Sequence, residues 1–304
     1  MSSSTTSFSA TGDAEFESSF VHANGLRFHV VRSGPKGGKP VLLLHGFPEF
    51  WYSWRHQLRA LSRAGYHVIA PDLRGYNLSD KPSGVASYQT RLLMSDVVAL
   101  VGALGYQTVD LVGHDWGGAI AWAVAASAEH RQVVRRLAVL NAPHPAAFLR
   151  RMSLTQLRRS WYMLFFQLPA LPEHVLSKNG FAALRRMLSR SAQPGTFSDQ
   201  DLDRFVEAMA QPGALSSAVN YYRAMLRQDL VAELGRLSTI PASLPVLLLW
   251  GERDPALGKE LTYNLHPFVD NLRIEYIPDA GHWVQQERAD AVNRALLAFL
   301  RDEA

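Results

Sequence analysis

The feature that most constrains the fold is an apolar strand that runs through Gly113-His114-Asp115-Trp116-Gly117 into a helical pattern. Glycines on both sides of one side chain let the backbone turn sharply and leave that side chain exposed. A strand, such a turn and then a helix form a nucleophile elbow, which presents its central residue at the end of a strand. The run therefore predicts an α/β protein with a reactive residue at position 115.

Asp115 changes the chemistry expected at this turn. The usual serine attacks acyl carbon, whereas a carboxylate is a poor acyl nucleophile. A carboxylate does displace a leaving group from saturated carbon and form an alkyl ester. The expected substrates therefore move from esters towards epoxides or alkyl halides. An aspartate on a loop is more often a cap or a solvated charge, so other residues must support this assignment.

The composition describes a globular chain. Of 304 residues, 47% are hydrophobic and 19% charged, enough for one large α/β domain or a domain with an insertion. The net charge is +4 without a Lys/Arg cluster, so we expect no nucleic-acid partner. The lack of cysteine excludes disulfides and thiolate catalysis. Residues 1–15 are expected to form a disordered tail, and apolar runs such as 245–250 are too short to span a bilayer. We expect a cytoplasmic protein with no membrane partner.

The hydrophobic pattern divides the rest of the chain into a core and an insertion. Short β-rich runs alternate with helical runs over residues 16–145, and the β pattern resumes within 235–304. Two strands, 41–44 and 137–140, are continuously apolar, which indicates a parallel sheet covered on both faces. Residues 146–234 contain helical patterns but no convincing strand. We predict an α/β core with a mostly parallel sheet and an inserted helical cap.

The same patterns predict the individual elements. Strands are expected at 16–22, 27–33, 41–45, 67–71, 108–113, 135–141, 246–250 and 272–277. Helices are expected at 54–64, 88–104, 117–127, 154–166, 202–210, 215–230 and 289–301. Ser198 and Asp201 have the spacing of a capping box before one of these helices.

Two further residues follow strand ends and complete a candidate triad with Asp115. Asp254 lies just beyond the strand 246–250, and His282 follows the last strand. Nucleophile, acid and histidine in this chain order are typical of the elbow's triad. Ligands of open α/β sheets bind outside the carboxyl ends of the strands, where all three residues fall. Each residue alone could cap a turn or pack, and Glu252 is a second candidate acid; we choose Asp254 by its motif position.

The loop His45-Gly46-Phe47-Pro48 follows another strand of the predicted sheet. The backbone N–H of Phe47, together with that of Trp116, is placed to stabilise a developing oxyanion. The alternative is an ordinary tight turn. We predict an oxyanion hole built from these two groups.

Four motifs carry a resemblance to a known family. They are His45-Gly46-Phe47-Pro48-Glu49, Asp72-Leu73-Arg74-Gly75-Tyr76, Gly113-His114-Asp115-Trp116-Gly117-Gly118 and Asp279-Ala280-Gly281-His282. Together they resemble the α/β-hydrolase superfamily and, within it, the epoxide hydrolases, over residues 20–300. Dehalogenases share most of these motifs, so the core alone does not choose the leaving group.

The cap carries the part of the resemblance that distinguishes epoxide hydrolases. Enzymes of that family use two cap tyrosines to hydrogen-bond the epoxide oxygen, and the matching segments place these roles on Tyr162 and Tyr222. An opening epoxide generates an alkoxide, which a phenol can protonate. Helical spacing turns Tyr221 about 100° away from Tyr222. The alternative is that both tyrosines merely pack, as aromatic residues on apolar stripes usually do.

Other activities on this fold fit the residues less well. A haloalkane dehalogenase typically carries asparagine where this chain has Phe47. A fluoroacetate dehalogenase typically carries arginines at the positions of Trp116 and Ala119, and a histidine and a tryptophan where Tyr162 and Met163 fall. A non-catalytic ligand receptor with a retained triad stays open. Turnover of an epoxide distinguishes the enzyme from tight binding without turnover.

The resemblance implies a two-step reaction. Asp115 attacks an epoxide carbon, and His282, oriented by Asp254, then activates water to hydrolyse the ester to a vicinal diol. The reaction needs no metal or organic cofactor. The expected substrate is a small apolar epoxide, and an apolar pocket is expected around Trp51, Phe165 and Phe166. The sequence does not determine the oligomeric state, the physiological substrate or the stereochemistry.

Overall fold

The computed structural model describes residues 16–227, 235 and 237–301 of the chain. Eight strands form one sheet in the order β1-β2-β4-β3-β5-β6-β7-β8. The strands are β1 (Glu17–Ala23), β2 (Leu26–Ser33), β3 (Pro40–Leu44), β4 (His67–Pro71), β5 (Val109–His114), β6 (Val134–Leu140), β7 (Val246–Gly251) and β8 (Leu272–Ile277). All eight predicted strands are confirmed to within one residue at each end.

The sheet is antiparallel at one edge and parallel elsewhere. β1 and β2 form a hairpin through Asn24 and Gly25, which both have positive φ, as the favoured two-residue hairpin turn requires. β2 pairs antiparallel with β4, and every pairing from β4 to β8 is parallel. β3, β4, β5 and β7 are buried along their whole length. This confirms the mostly parallel sheet that the continuously apolar strands predicted.

Helices cover both faces of the sheet. They are α1 (Arg55–Arg63), α2 (Thr90–Ala103), α3 (Trp116–Ala126) and, after β8, α10 (Val284–Glu287) and α11 (Ala289–Arg301). α3 is buried almost throughout and packs against β5 and β6. The carboxyl ends of the parallel strands therefore open at one edge, where the loops that follow them meet.

Six described helices lie between β6 and β7. They are α4 (Pro145–Arg150), α5 (Leu154–Arg159), α6 (Trp161–Phe165), α7 (Leu171–Ser191), α8 (Asp199–Ala210) and α9 (Ala214–Arg227). At the start of α8, Ser198 and Asp201 exchange side-chain and backbone hydrogen bonds, which confirms the predicted capping box. The boundaries 146 and 234 of the cap stay a prediction.

The cap helices differ from the predicted ones in three places, one of which is α4, a helix that was not predicted. The predicted helix 154–166 is two short helices that meet at Ser160. α7 was not predicted, and its helical path is broken between Lys178 and Phe181, where the backbone becomes extended and then left-handed. The last residues of the predicted helix 215–230, like the predicted tail 1–15, lie outside the described residues. Within the described ranges, no helix is both long and apolar enough to cross a membrane.

Candidate active site

Asp115 lies at the turn between β5 and α3, in a backbone conformation that non-glycine residues seldom adopt. Its φ is 49° and its ψ is −119°. The flanking glycines make this turn possible because their neighbours leave no room for a side chain. A Cβ on Gly113 would lie 2.3 Å from the carbonyl oxygen of Gly117, and a Cβ on Gly117 would lie 2.1 Å from that of Leu44. Such strain is typical of functional sites and holds the carboxylate at the edge of the sheet.

One backbone N–H contacts the Asp115 carboxylate, and a second follows it in the chain. The N–H of Phe47 donates to Oδ1 at 2.8 Å. Trp116 begins α3, so its N–H is among the first-turn groups that have no acceptor inside the helix. Burial opposes ionisation of Asp115, but its hydrogen bond with His282 and the charge of that ring outweigh burial and lower the pKa of Asp115. The structure thus places an ionised carboxylate beside the two predicted oxyanion-hole residues.

His282 lies between Asp115 and Asp254. Its Nδ1 is 2.7 Å from Oδ2 of Asp254, and its Nε2 is 3.6 Å from Oδ2 of Asp115. The other oxygen of Asp254 accepts hydrogen bonds from the N–H groups of Ala256 and Leu257 at 2.8 and 2.9 Å. Glu252, the alternative acid, instead pairs with Lys259. The geometry therefore brings together the three residues chosen for the triad.

The pKa of His282 depends on these two carboxylates. Burial by itself lowers the pKa, but the charges of Asp254 and Asp115 and their hydrogen bonds raise it well above its usual value. The pKa of Asp254 is lowered because His282 and Asn141 outweigh the effect of burial. Without substrate, the site consequently holds a protonated ring between two carboxylates.

Asn141 is a site residue whose role the sequence did not predict. It follows β6, has a φ of 39° and is fully buried. Its Nδ2 donates to Oδ2 of Asp254 at 2.8 Å, and its Oδ1 accepts from the N–H of Gly251 at 2.8 Å. Asn141 therefore fixes the acid to the end of β7. Its position at the end of a strand of the sheet was the available signal.

A buried pair, Glu49 and His114, supports the backbone of His282. His114 Nε2 is 2.8 Å from the carbonyl oxygen of His282, and its Nδ1 is 2.7 Å from Oε2 of Glu49. A carbonyl oxygen can only accept, so Nε2 carries the hydrogen. The second oxygen of Glu49 accepts from Gln285 and Gln286, both at 2.9 Å. The pair therefore links the loop after β3 and the end of β5 to the segment that carries His282.

The cap brings Tyr162 and Tyr222 to the same place above Asp115. Tyr162 comes from α6 and Tyr222 from α9, and their ring centroids are 5.9 Å apart at an interplanar angle of 84°. The Tyr222 ring also packs edge-on against Phe47 at 5.4 Å and against Trp116 at 5.1 Å. Core aromatic residues therefore fix the direction in which the Tyr222 hydroxyl points.

Both phenols remain protonated in this setting. Burial and the nearby charge of Asp115 raise the pKa of Tyr162 and that of Tyr222 far above the usual value. Trp116, whose side chain can only donate, packs against Tyr222 and opposes part of this rise. Each phenol thus keeps a hydrogen that it can donate to a substrate.

A mostly apolar cavity of about 230 Å³ adjoins Asp115, Tyr162 and Tyr222. Trp116 also lines it, as do side chains of α2 and α3 and of the cap. Apart from Asp115, none of its described lining residues carries a charged side chain. The cavity is therefore suited to an apolar molecule whose polar atom lies between the carboxylate and the two phenols.

Trp51, Phe165 and Phe166, which were predicted to lie around the pocket, are not among the described residues that line this cavity. Trp51 packs on the core against Phe16 and Phe50. Phe166 packs against the rings of Tyr162 and Tyr222, with centroids 6.0 and 4.8 Å apart. The cavity is lined by residues such as Met94 and Ile120, which look in the sequence like core positions.

The described part of the chain holds no candidate metal site. Over residues 16–227, 235 and 237–301, no group of three or more His, Cys, Asp or Glu side chains is arranged to hold a metal ion.

Comparisons with known proteins agree with this geometry. Residues 39–289 match the family model for the alpha/beta hydrolase fold. The chain is 38% identical to AB hydrolase superfamily protein YfhM of Bacillus subtilis (strain 168), over 93% of this chain and 98% of that protein. It is 40% identical to epoxide hydrolase 4 of Mus musculus, over 93% and 79%. A crystal structure of Bacillus megaterium epoxide hydrolase with an inhibitor aligns with a TM-score of 0.83 at 32% identity, covering 93% of this chain and all of that one.

Proposed function

This chain belongs to the epoxide hydrolases of the α/β-hydrolase fold, and we propose that Asp115, His282, Asp254, Tyr162 and Tyr222 carry its reaction. It opens an epoxide to a vicinal diol through an ester on an aspartate. The observation that best supports this set of residues is the pair of protonated cap phenols above an ionised Asp115, with a cavity between them.

In the first step, a carboxylate oxygen of Asp115 attacks an epoxide carbon and the C–O bond of the ring breaks. The departing oxygen is an alkoxide, which receives a proton from Tyr162 or Tyr222. A phenol is suited to this because it is neutral before the reaction and still carries the proton that the alkoxide needs. The Trp116 side chain, which packs against Tyr222, stabilises a developing phenolate.

Ester formation also prepares His282 for the second step. The charge of Asp115 disappears when its ester forms, so one of the two carboxylates that raise the pKa of His282 is lost. The His282 ring can then release its proton, which restores the phenol that gave its own proton to the opened oxygen. Protons balance, because the opened oxygen gains one and His282 loses one.

In the second step, neutral His282 takes a proton from water, which attacks the ester carbonyl carbon of Asp115. The resulting oxyanion lies beside the N–H groups of Phe47 and Trp116, where the Phe47 N–H already contacts Oδ1 at 2.8 Å. Collapse of this intermediate expels the alkoxide of the diol, which takes the hydroxyl proton of the new Asp115 carboxyl group. The diol leaves, Asp115 is again a carboxylate and His282 is protonated. Asp254 and Asn141 hold the ring in place while its charge changes.

The cavity supports the substrate class predicted from the sequence. Its walls contribute methionine, leucine and aromatic side chains, and its polar groups lie at the reacting end. We therefore propose an apolar epoxide as the substrate. Location in the cytoplasm stays a prediction, which fractionation of the source cells would test.

Isotope labelling tests the covalent step. A single turnover in oxygen-18 water, with enzyme in excess, should yield unlabelled diol and leave label in the peptide that contains Asp115. The peptide that contains Asp254 should stay unlabelled and serves as the internal control. Label in the first-turnover diol would mean that water attacks the epoxide directly, and the roles given to Asp115 and His282 would be wrong.

A further inference from the structure

The cap carries an unusual concentration of exposed apolar side chains. Of the thirteen large hydrophobic residues exposed in the described structure, nine lie within residues 149–175. Trp161 is 63% exposed, Leu164 60% and Leu154 78%. Scattered exposed leucines need no explanation, but a dense group marks an interaction surface.

Seven of these residues follow a regular spacing. From Leu154 the exposed apolar positions continue through Leu157, Trp161, Leu164 and three more to Val175, in alternating steps of three and four residues. These residues lie on three separate helices, α5, α6 and the start of α7, with Leu168 in the turn between the last two. We call these seven residues the cap stripe. All seven are exposed, whereas most large apolar side chains of a domain are buried.

Positive charge accompanies the cap stripe. Arg150, Arg151, Arg158 and Arg159 lie within or just before it, and residues 130–172 contain no Asp or Glu. Arg159 is 3.6 Å from Glu260, and Arg150 lies over a phenylalanine ring. In the sequence these four arginines form two separate pairs, so they do not read as a cluster of basic residues.

Exposed apolar side chains just outside the cap stripe line the cavity. Leu149 and Met152, which precede the stripe in the chain, are exposed at the surface and also line the cavity that reaches Asp115. Leu226 of α9 is likewise exposed and lines the cavity. The segment that leads into the stripe therefore contributes exposed apolar side chains to the cavity wall.

We propose that the cap stripe docks on the surface of an anionic phospholipid bilayer, with Trp161 and the leucines in the headgroup region and the arginines against lipid phosphates. Interfacial helices bind by this combination of apolar area and attraction to anionic lipid. The proposal departs from the expectation of no membrane partner, and it needs no spanning helix. Docking would place the cavity mouth where apolar epoxides dissolve.

A second copy of the chain is the competing occupant of the cap stripe. A symmetric pair would use the same patch on both subunits. It would bring Arg158 of one subunit near the arginines of the other, and like charges that face each other are unfavourable. Charge complementarity therefore favours an anionic lipid surface.

Vesicle binding tests the proposal independently of catalysis. Full-length protein is sedimented with large vesicles of phosphatidylglycerol and phosphatidylcholine, or of phosphatidylcholine alone. Leu157→Ser with Leu164→Ser removes apolar contacts, and Arg151→Gln with Arg158→Gln removes charge. The matched control is Leu78→Ser with Tyr263→Ser, two exposed residues far from the stripe in the sequence. Melting temperature and circular dichroism show that each variant is folded.

We expect binding to anionic vesicles that weakens with salt. The leucine pair should lower the partition coefficient about ten-fold or more, and each arginine should contribute about five-fold. The control pair should bind as wild type does. Absence of wild-type binding to anionic vesicles at low salt would overturn the proposal, as would binding that ignores the leucine substitutions. Concentration-dependent dimers that the leucine pair abolishes, without vesicle binding, would identify a second copy as the occupant.

Discussion

Two adjacent tyrosines on α9 allow a matched test of the proposed acid. Tyr222 faces the cavity, whereas Tyr221 is turned away and its hydroxyl donates to the carbonyl oxygen of Arg74 at 2.7 Å. Both are buried, and each substitution to phenylalanine removes one oxygen. We expect Tyr222→Phe to slow alkylation of Asp115 and Tyr221→Phe to leave it unchanged.

The structure sets the size of both effects. Tyr222 donates to a developing alkoxide, and hydrogen bonds to charged groups are worth about 1.5–3 kcal/mol, or roughly 10- to 150-fold in rate. Replacing Tyr162 as well should bring the loss to about 10²–10⁴-fold, the range of general acid catalysis. Tyr221→Phe should instead lower the free energy of unfolding by about 0.5–1.5 kcal/mol, because a buried carbonyl loses its donor.

Stopped-flow kinetics and thermal unfolding separate the two outcomes. The alkylation rate is read from the loss of intrinsic fluorescence or from quenched mass spectra with a styrene-type epoxide. Wild-type alkylation in the variant that lacks both cavity hydroxyls would refute the proposed acid. Equal kinetic losses in Tyr221→Phe and Tyr222→Phe would show that packing, and not proton donation, explains the effect. Faster defluorination of fluoroacetate than opening of any epoxide by the native protein would contradict the assigned reaction.

Three further predictions concern the second step. His282→Gln should still alkylate, and intact-mass spectrometry should show one substrate adduct per chain; rapid repeated turnover would exclude His282 as the base. Asn141→Ala should slow ester hydrolysis about 10- to 150-fold, because buried Asp254 loses a donor at 2.8 Å; an unchanged single-turnover hydrolysis rate would contradict that role. In the ester intermediate, hydrolysis should accelerate as the pH rises through the pKa of His282, because the neutral ring is the base. Alkylation should not follow that curve, because it uses the Asp115 carboxylate, whose pKa is lowered. Pre-steady-state rates measured against pH would show parallel curves if one ionisation governed both steps.

The sheet was predictable because its signals are local. β4 and β8 match their predicted bounds, since each is a compact β-rich run. The capping box at Ser198 was also readable, because its two residues are three apart in the chain. The cap helices were harder to predict, because α7 contains non-helical residues near Gly180 and no simple periodicity describes it.

Side chains that meet through long-range contacts were beyond the sequence. Glu49 accepts hydrogen bonds from Gln285 and Gln286, more than 230 positions away, and no local sequence pattern predicts these contacts. The cavity walls were missed for a related reason. Met94 and Ile120 have the periodicity of core residues, and only the tertiary arrangement leaves space beside them.

The choice of leaving group is tied to the core more closely than the motifs suggest. Phe47 donates its N–H to Asp115 and packs its ring against Tyr222, and the Trp116 ring packs against the same tyrosine. The residues beside Asp115 therefore also support Tyr222. A dehalogenase needs halide donors in this place, and an asparagine at position 47 would remove the ring that supports Tyr222. Phe47 thus favours epoxide opening through its packing against Tyr222. The packing holds the Tyr222 phenol in one direction, so it can donate to only one side of the substrate.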